Sequence, residues 1–111
     1  MLKERTSAAR EYDPVPVLKA LAHPLRFGLV EALASGEKCV CDLVESFDAS
    51  QPLVSHHLAI LKKAGLVHDR HDATWVYYSL DPDKWTAFQN SVSNLRPSET
   101  PTTPCPPEDE L

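Results

Sequence analysis

Apolar residues recur at helical spacing in five stretches of the chain, and in one the period falls to two, with Trp75, Tyr77 and Ser79 set against Val76, Tyr78 and Leu80. Asp13-Pro14 reads as a cap and a first-turn proline, opening a helix through about Ala22. His23-Pro24 interrupts it, because a residue before proline avoids the helical region. Pro24 opens a second helix with Leu25, Leu29, Val30 and Leu33 on one face and Gly36 as its stop. A short third helix is expected over roughly Cys39 to Phe47, with Val40, Leu43 and Phe47 as its stripe. Asp48-Ala49 makes a tight turn, and Ser50 caps a fourth helix that tolerates Pro52 in its first turn and ends near Ala64-Gly65. The period then drops from 3.6 to 2. Leu66 to Arg70 and Thr74 to Leu80 read as strands, joined by His71-Asp72-Ala73. Asp81-Pro82 caps a last helix with Trp85, Phe88, Val92 and Leu95 along one side. Helix, helix, helix-turn-helix, hairpin, helix is a mainly α (α+β) order, that of a winged helix-turn-helix.

Composition refines this without changing it. A chain of 111 residues supports one modest core. The division expected is a DNA-binding and dimerisation domain over residues 1–96 and a flexible, proline-rich acidic tail over 97–111, which holds five of the ten prolines. The net charge of −5 argues against nucleic acid until its distribution is considered. Four acids lie in the tail, leaving residues 1–96 with 11 basic against 12 acidic side chains, and residues 50–63 contain no acid. A local basic face with strong salt dependence follows. No apolar run is long enough to span a bilayer, and the charged N-terminal stretch does not read as a secretory signal, so a cytoplasmic location is expected.

On the fourth helix, Val54, Leu58 and Leu61 cluster on one side, with Pro52, Ser55, His56, Lys62 and Lys63 on the other. Ser55 and His56 suit base edges, Lys62 a phosphate, and Ser50 and Gln51 add donors at the positive end of the helix dipole. A solvated polar face would look the same. His57 falls nearer the apolar side and is counted with this face although partial burial is expected. The hairpin would be the wing, with Arg70, His71 and Thr74 toward phosphate and Asp69 and Asp72 working against them. No nucleophile has a general base at a recognisable spacing, so no enzyme is expected.

Cys39 and Cys41 flank one valine at the expected start of the third helix; the remaining cysteine is Cys105. In a reducing compartment such thiols are ligands or redox centres more often than structural disulfides. Two small buried hydrophobes would be the plain alternative.

The stretches "LKALAHPLRFGLVEAL", "KCVCDLV" and "SQPLVSHHLAILKKAGLV", running into "WVYYSL", together resemble the ArsR/SmtB family of metal-responsive bacterial repressors over residues 17 to 80. Cys-Val-Cys-Asp-Leu ahead of Ser-Gln-Pro is similar to the arsenical-resistance repressors in particular. The resemblance implies a homodimer on an inverted-repeat operator in double-stranded DNA, with As(III) or Sb(III) as inducer held by Cys39 and Cys41. Cadmium and lead sensors of the family share the motif but add N-terminal cysteines, which this sequence does not have. The position of a frequent third arsenic ligand is Val44 here, and "HDAT" replaces the family's wing-tip glycine and arginine.

Two expectations follow. Residues i and i+2 of a regular helix project about 200° apart, so clasping one atom should require the first turn of the third helix to unwind. Cys105 is a candidate third ligand, on a tail reaching at most about 33 Å past Leu95; glutathione or water are the alternatives. A cadmium-, lead- or zinc-responsive repressor, a thiol-redox regulator and a winged helix that binds protein remain open. Trp85, Phe88 and Val92 are expected to form the dimer seam with the first helix.

Overall fold

The computed structural model describes residues 12–102, 104 and 105. Its order is α1 (Val15–Leu21), α2 (Pro24–Ala34), β1 (Lys38–Cys39), α3 (Val40–Phe47), α4 (Gln51–Lys63), β2 (Val67–Asp72), β3 (Trp75–Leu80) and α5 (Pro82–Ser93). This is a winged helix-turn-helix, and the helix starts are set by local chemistry. The Asp13 carboxylate accepts from the Val15 amide, and His23 Nδ1 accepts from the Leu25 amide ahead of α2. Asp81 accepts from the Lys84 amide at the start of α5. Between α3 and α4 the chain turns through Asp48 at φ +50°, a left-handed conformation that aspartate tolerates better than most residues.

The stripe positions of α2, α3 and α4 converge on one core. Leu29, Leu33, Leu43, Val54, Leu58, Leu61, Leu66 and Val67 are essentially buried, with Val17, Val30 and Phe88 beside them. Burying each such side chain contributes roughly 1.5–3 kcal/mol, so the face of α4 opposite the expected DNA-reading side is firmly fixed to the body. Gly28 lets α2 lie close to α3; a Cβ there would come within 2.8 Å of the Phe47 ring.

Four expectations need correction. The sheet has three strands in the order β1-β3-β2, not two, because Lys38 and Cys39 pair with Tyr78 and Tyr77. Helix α3 therefore starts at Val40, with Cys39 as its extended N-cap. The hairpin turn is Ala73-Thr74, with Ala73 at φ +55°, and β2 runs on through Asp72. Phe88 is not a free seam residue: it is buried in the core with the Trp85 ring 5.4 Å away, leaving Val92 exposed on α5, Leu95 exposed beyond its end, and Val15 and Leu18 exposed on α1. The described residues beyond α5 carry no regular structure; the rest of the expected tail lies outside the described residues, as does the N-terminal stretch. No helix among the described residues is long and apolar enough to cross a membrane.

Candidate nucleic-acid interface and thiol site

Helix α4 presents Gln51, Pro52 and His56 as exposed residues and Ser55 as half-buried. Ser50 Oγ accepts from the Leu53 amide at 3.3 Å, so its side chain is engaged in capping. His57 is a correction: it is turned inward and buried, away from the outer face. Arg26 Nη1 lies 3.1 Å from His57 Nδ1 while Arg26 Nε donates to the Ala20 carbonyl. An arginine only donates, so Nδ1 accepts and the proton sits on Nε2 of a neutral ring. The His23 ring packs 4.4 Å from His57 and the His56 ring 5.2 Å from it. Burial first, then His23, Arg26 and His56, hold His57 below the usual imidazole pKa.

The basic side chains assigned to phosphates are mostly taken. Lys62 Nζ lies 3.0 Å from Asp69, tying α4 to β2, and His71 Nε2 lies 3.2 Å from the same carboxylate. The Lys62 hydrogen bond holds Asp69 below its ordinary pKa and raises that of Lys62. Arg70 forks onto Glu37 at 2.8 and 3.0 Å, with its guanidinium 4.5 Å over the Tyr77 ring. That hydrogen bond lowers the Glu37 pKa. Arg70 therefore braces the wing against the loop before β1 in place of reaching outward, a correction to its assigned role. Thr74 stands exposed at the hairpin tip. Sequence reasoning missed Glu37 as a partner of Arg70, since pairing 33 residues apart leaves no local trace, and missed Asp69 as a partner of Lys62, since the two sit on different elements.

Cys39 is buried and Cys41 exposed, and their sulfurs are bonded to each other. Cys39 Sγ also accepts from the Cys41 amide at 3.1 Å, capping α3. The premise of the expected incompatibility, that both cysteines lie within a regular helix, does not hold. Cys39 has extended backbone outside the helix, so the 200° projection rule does not apply to it, and the two sulfurs meet with α3 intact. Cys105 is exposed, and among the described residues no three His, Cys, Asp or Glu side chains gather into a metal site.

A cleft of 520 Å³ adjoins the pair, lined by Cys39 and Cys41, by Gln51 and Ser55 of α4, and by Trp75 and Tyr78 of β3. The thiol site and the outward face of α4 thus share one cavity. Sequence periodicity placed Trp75 and Tyr78 on a strand, but only the β1–β3 pairing brings them to the cysteines.

The family profile described as "Bacterial regulatory protein, arsR family" matches residues 23–69. An arsenical resistance operon repressor of Escherichia coli is 47% identical over 70 residues, 62% of this chain and 60% of the relative, so the match spans somewhat under two thirds of that protein. An uncharacterized HTH-type transcriptional regulator of Methanocaldococcus jannaschii is 41% identical over 80 residues, 71% of this chain and 90% of the relative. The crystal structure of a possible transcriptional regulator for arsenical resistance superposes with a TM-score of 0.64 at 39% identity, covering 69% of this chain and 80% of that one.

Proposed function

The chain belongs to the ArsR family of bacterial regulatory proteins, and from that premise we propose that it is a metalloid-responsive transcriptional repressor. It binds an inverted-repeat operator as a homodimer, and releases it when reduced Cys39 and Cys41 take up As(III) or Sb(III). The observation that carries this reading is the shared cleft: the two bonded sulfurs and Gln51 and Ser55 of α4 line the same cavity. Soft thiolates select thiophilic centres. The Cys41 amide directed at Cys39 Sγ favours negative charge on that sulfur once the pair is reduced. Gln51, Ser55 and His56 reach base edges, the amides at the Ser50–Pro52 end and Lys63 hold phosphates, and Thr74 and His71 add a minor wing contact.

Induction needs no unwinding of α3. An arsenic atom on the two sulfurs enlarges the group beside Ser55, and a displacement of about an ångström undoes base contacts worth roughly 1–3 kcal/mol each. Cys105, a second protomer's tail or an external thiol completes the three-coordinate centre.

Arsenite titrated into the protein–operator complex tests this. Wild type should release DNA; Cys39→Ser and Cys41→Ser should retain it at concentrations at least tenfold higher; Cys105→Ser reports whether the tail supplies the third donor. Release from both single serine variants at the wild-type concentration would sink the reading. The bonded sulfurs favour one competitor, a thiol-redox regulator. In the same assay, release by mild oxidant without metalloid, reversed by a dithiol, identifies that case.

A further inference from the structure

We propose that residues 106–111, Pro-Pro-Glu-Asp-Glu-Leu, fold back into the groove between α1 and α4 and compete there with nucleic-acid phosphate for Lys63. The competition rests on the repressor reading above; the docking does not.

The groove has a volume of 360 Å³ and is lined by Pro16, Lys19 and Ala20 of α1 and by Ile60, Lys63 and Ala64 around the end of α4. Four of these six side chains are apolar, and the charge among them is all of one sign. Both lysines are exposed, and the lysine and arginine ion pairs among the described residues, Lys62–Asp69 and Arg70–Glu37, do not involve them. Helix α4 supplies no neutralising group of its own, because residues 50–63 contain no acid. On α1, Pro16 and Ala20 fall on a different side from Val15 and Leu18, so a subunit seam on the latter pair leaves the groove accessible.

Charge and length decide which segment fits. The two end segments outside the described residues differ in sign. Residues 1–11 carry three bases against two acids and would add repulsion. Residues 106–111 carry Glu108, Asp109 and Glu110 with no base, and Leu111 to meet the apolar lining. The fourteen residues from Leu95 to Glu108 reach at most about 45 Å, further than the roughly 30 Å diameter of a small domain. Pro106 and Pro107 restrict the backbone ahead of the acids, which lowers the freedom lost on docking. Lysine–carboxylate contacts at a surface are individually weak. A tethered segment needs no more, since its effective concentration lies in the millimolar range.

A tail lying on Lys63 must leave before a duplex can use that lysine. It therefore acts as a mimic of the phosphate backbone. Non-specific DNA, held by electrostatics alone, is rejected more than an operator whose base contacts add to them.

With the Cys39–Cys41 bond intact, Cys105 is the remaining thiol, exposed and three residues before Glu108. A nitroxide attached there in the full chain should selectively broaden the amide resonances of Lys19, Ala20, Lys63 and Ala64, and the broadening should fade at high salt. The combined substitution Glu108→Gln, Asp109→Asn and Glu110→Gln should abolish it, and Lys19→Gln should weaken it. Broadening that is absent, spread evenly over the surface, or unchanged in the triple variant overturns the docking. In a second arm, the triple variant should bind a non-cognate duplex about two- to tenfold more tightly, the gain expected when half to nine-tenths of the free protein holds its tail in the groove. Selective broadening with unchanged duplex affinity overturns the competition for Lys63. Failure of the wild type to bind any duplex overturns the repressor reading, while the resonance arm still decides the docking.

Discussion

His57 shows how one side chain ties the reading helix to the body of the protein. Its ring accepts from Arg26, which in turn holds the Ala20 carbonyl at the end of α1, so a single buried imidazole joins α1, α2 and α4. The neutral form is the one that fits, and its folded pKa is below the unfolded value. Near pH 6.5 the unfolded chain takes up a proton that the folded one refuses. Stability from this site is therefore complete above that pH and is lost as pH falls toward the lower, folded value. Thermal melts between pH 7.5 and 5.5 should show a falling Tm for wild type and a flatter profile for His57→Gln, whose amide oxygen still accepts from Arg26. Identical pH profiles would exclude the imidazole as the cause. The depressed carboxylates of Glu37, Asp69 and Asp81 act in a different window. Their contribution is present above about pH 4 and is lost below it, outside the range scanned.

At the scale of elements, the link between α4 and the wing is Lys62 on Asp69. Solvent screens this pair, so it contributes little to stability, but in the proposed reading it occupies a cation that would otherwise reach phosphate. Asp69→Asn should tighten binding to a non-cognate duplex and steepen the dependence of log K on log salt by about one per protomer. An unchanged slope would mean that Lys62 does not face phosphate even when released. The helices were legible in the sequence because their signals are local: caps at Ser50 and Asp81, the break at His23-Pro24, and apolar stripes at three- and four-residue spacing. Strand β1 was not, since two residues carry no period and Lys38-Cys39 becomes a strand only through Tyr77 and Tyr78. The same division runs through the site. Gln51, Ser55 and His56 follow from a helical wheel, whereas the Arg70–Glu37 and His57–Arg26 contacts join residues more than thirty apart.

For the whole molecule, exposed large apolar side chains fall on α1 and α5, with Phe27, Leu53 and Trp75 exposed elsewhere. Val15 and Leu18 on α1, Val92 on α5 and Leu95 beyond it are exposed, and in the proposed dimer they are the residues that fit a subunit seam. Leu18→Glu combined with Val92→Glu should raise the dimer dissociation constant by at least about a hundredfold, because an unpaired buried charge costs several kcal/mol. Sedimentation of wild type and variant checks it, and an unaltered dimer would move the seam elsewhere. Cys39 has a wider reach than its one sulfur suggests. It is at once the cap of α3 and the rung of β1 that faces Tyr77 on β3, so whatever tugs this residue pulls two levers together. In the proposed repressor one would tilt the support behind the reading helix and the other shear the wing, making the thiol a hinge pin for both halves of the DNA grip.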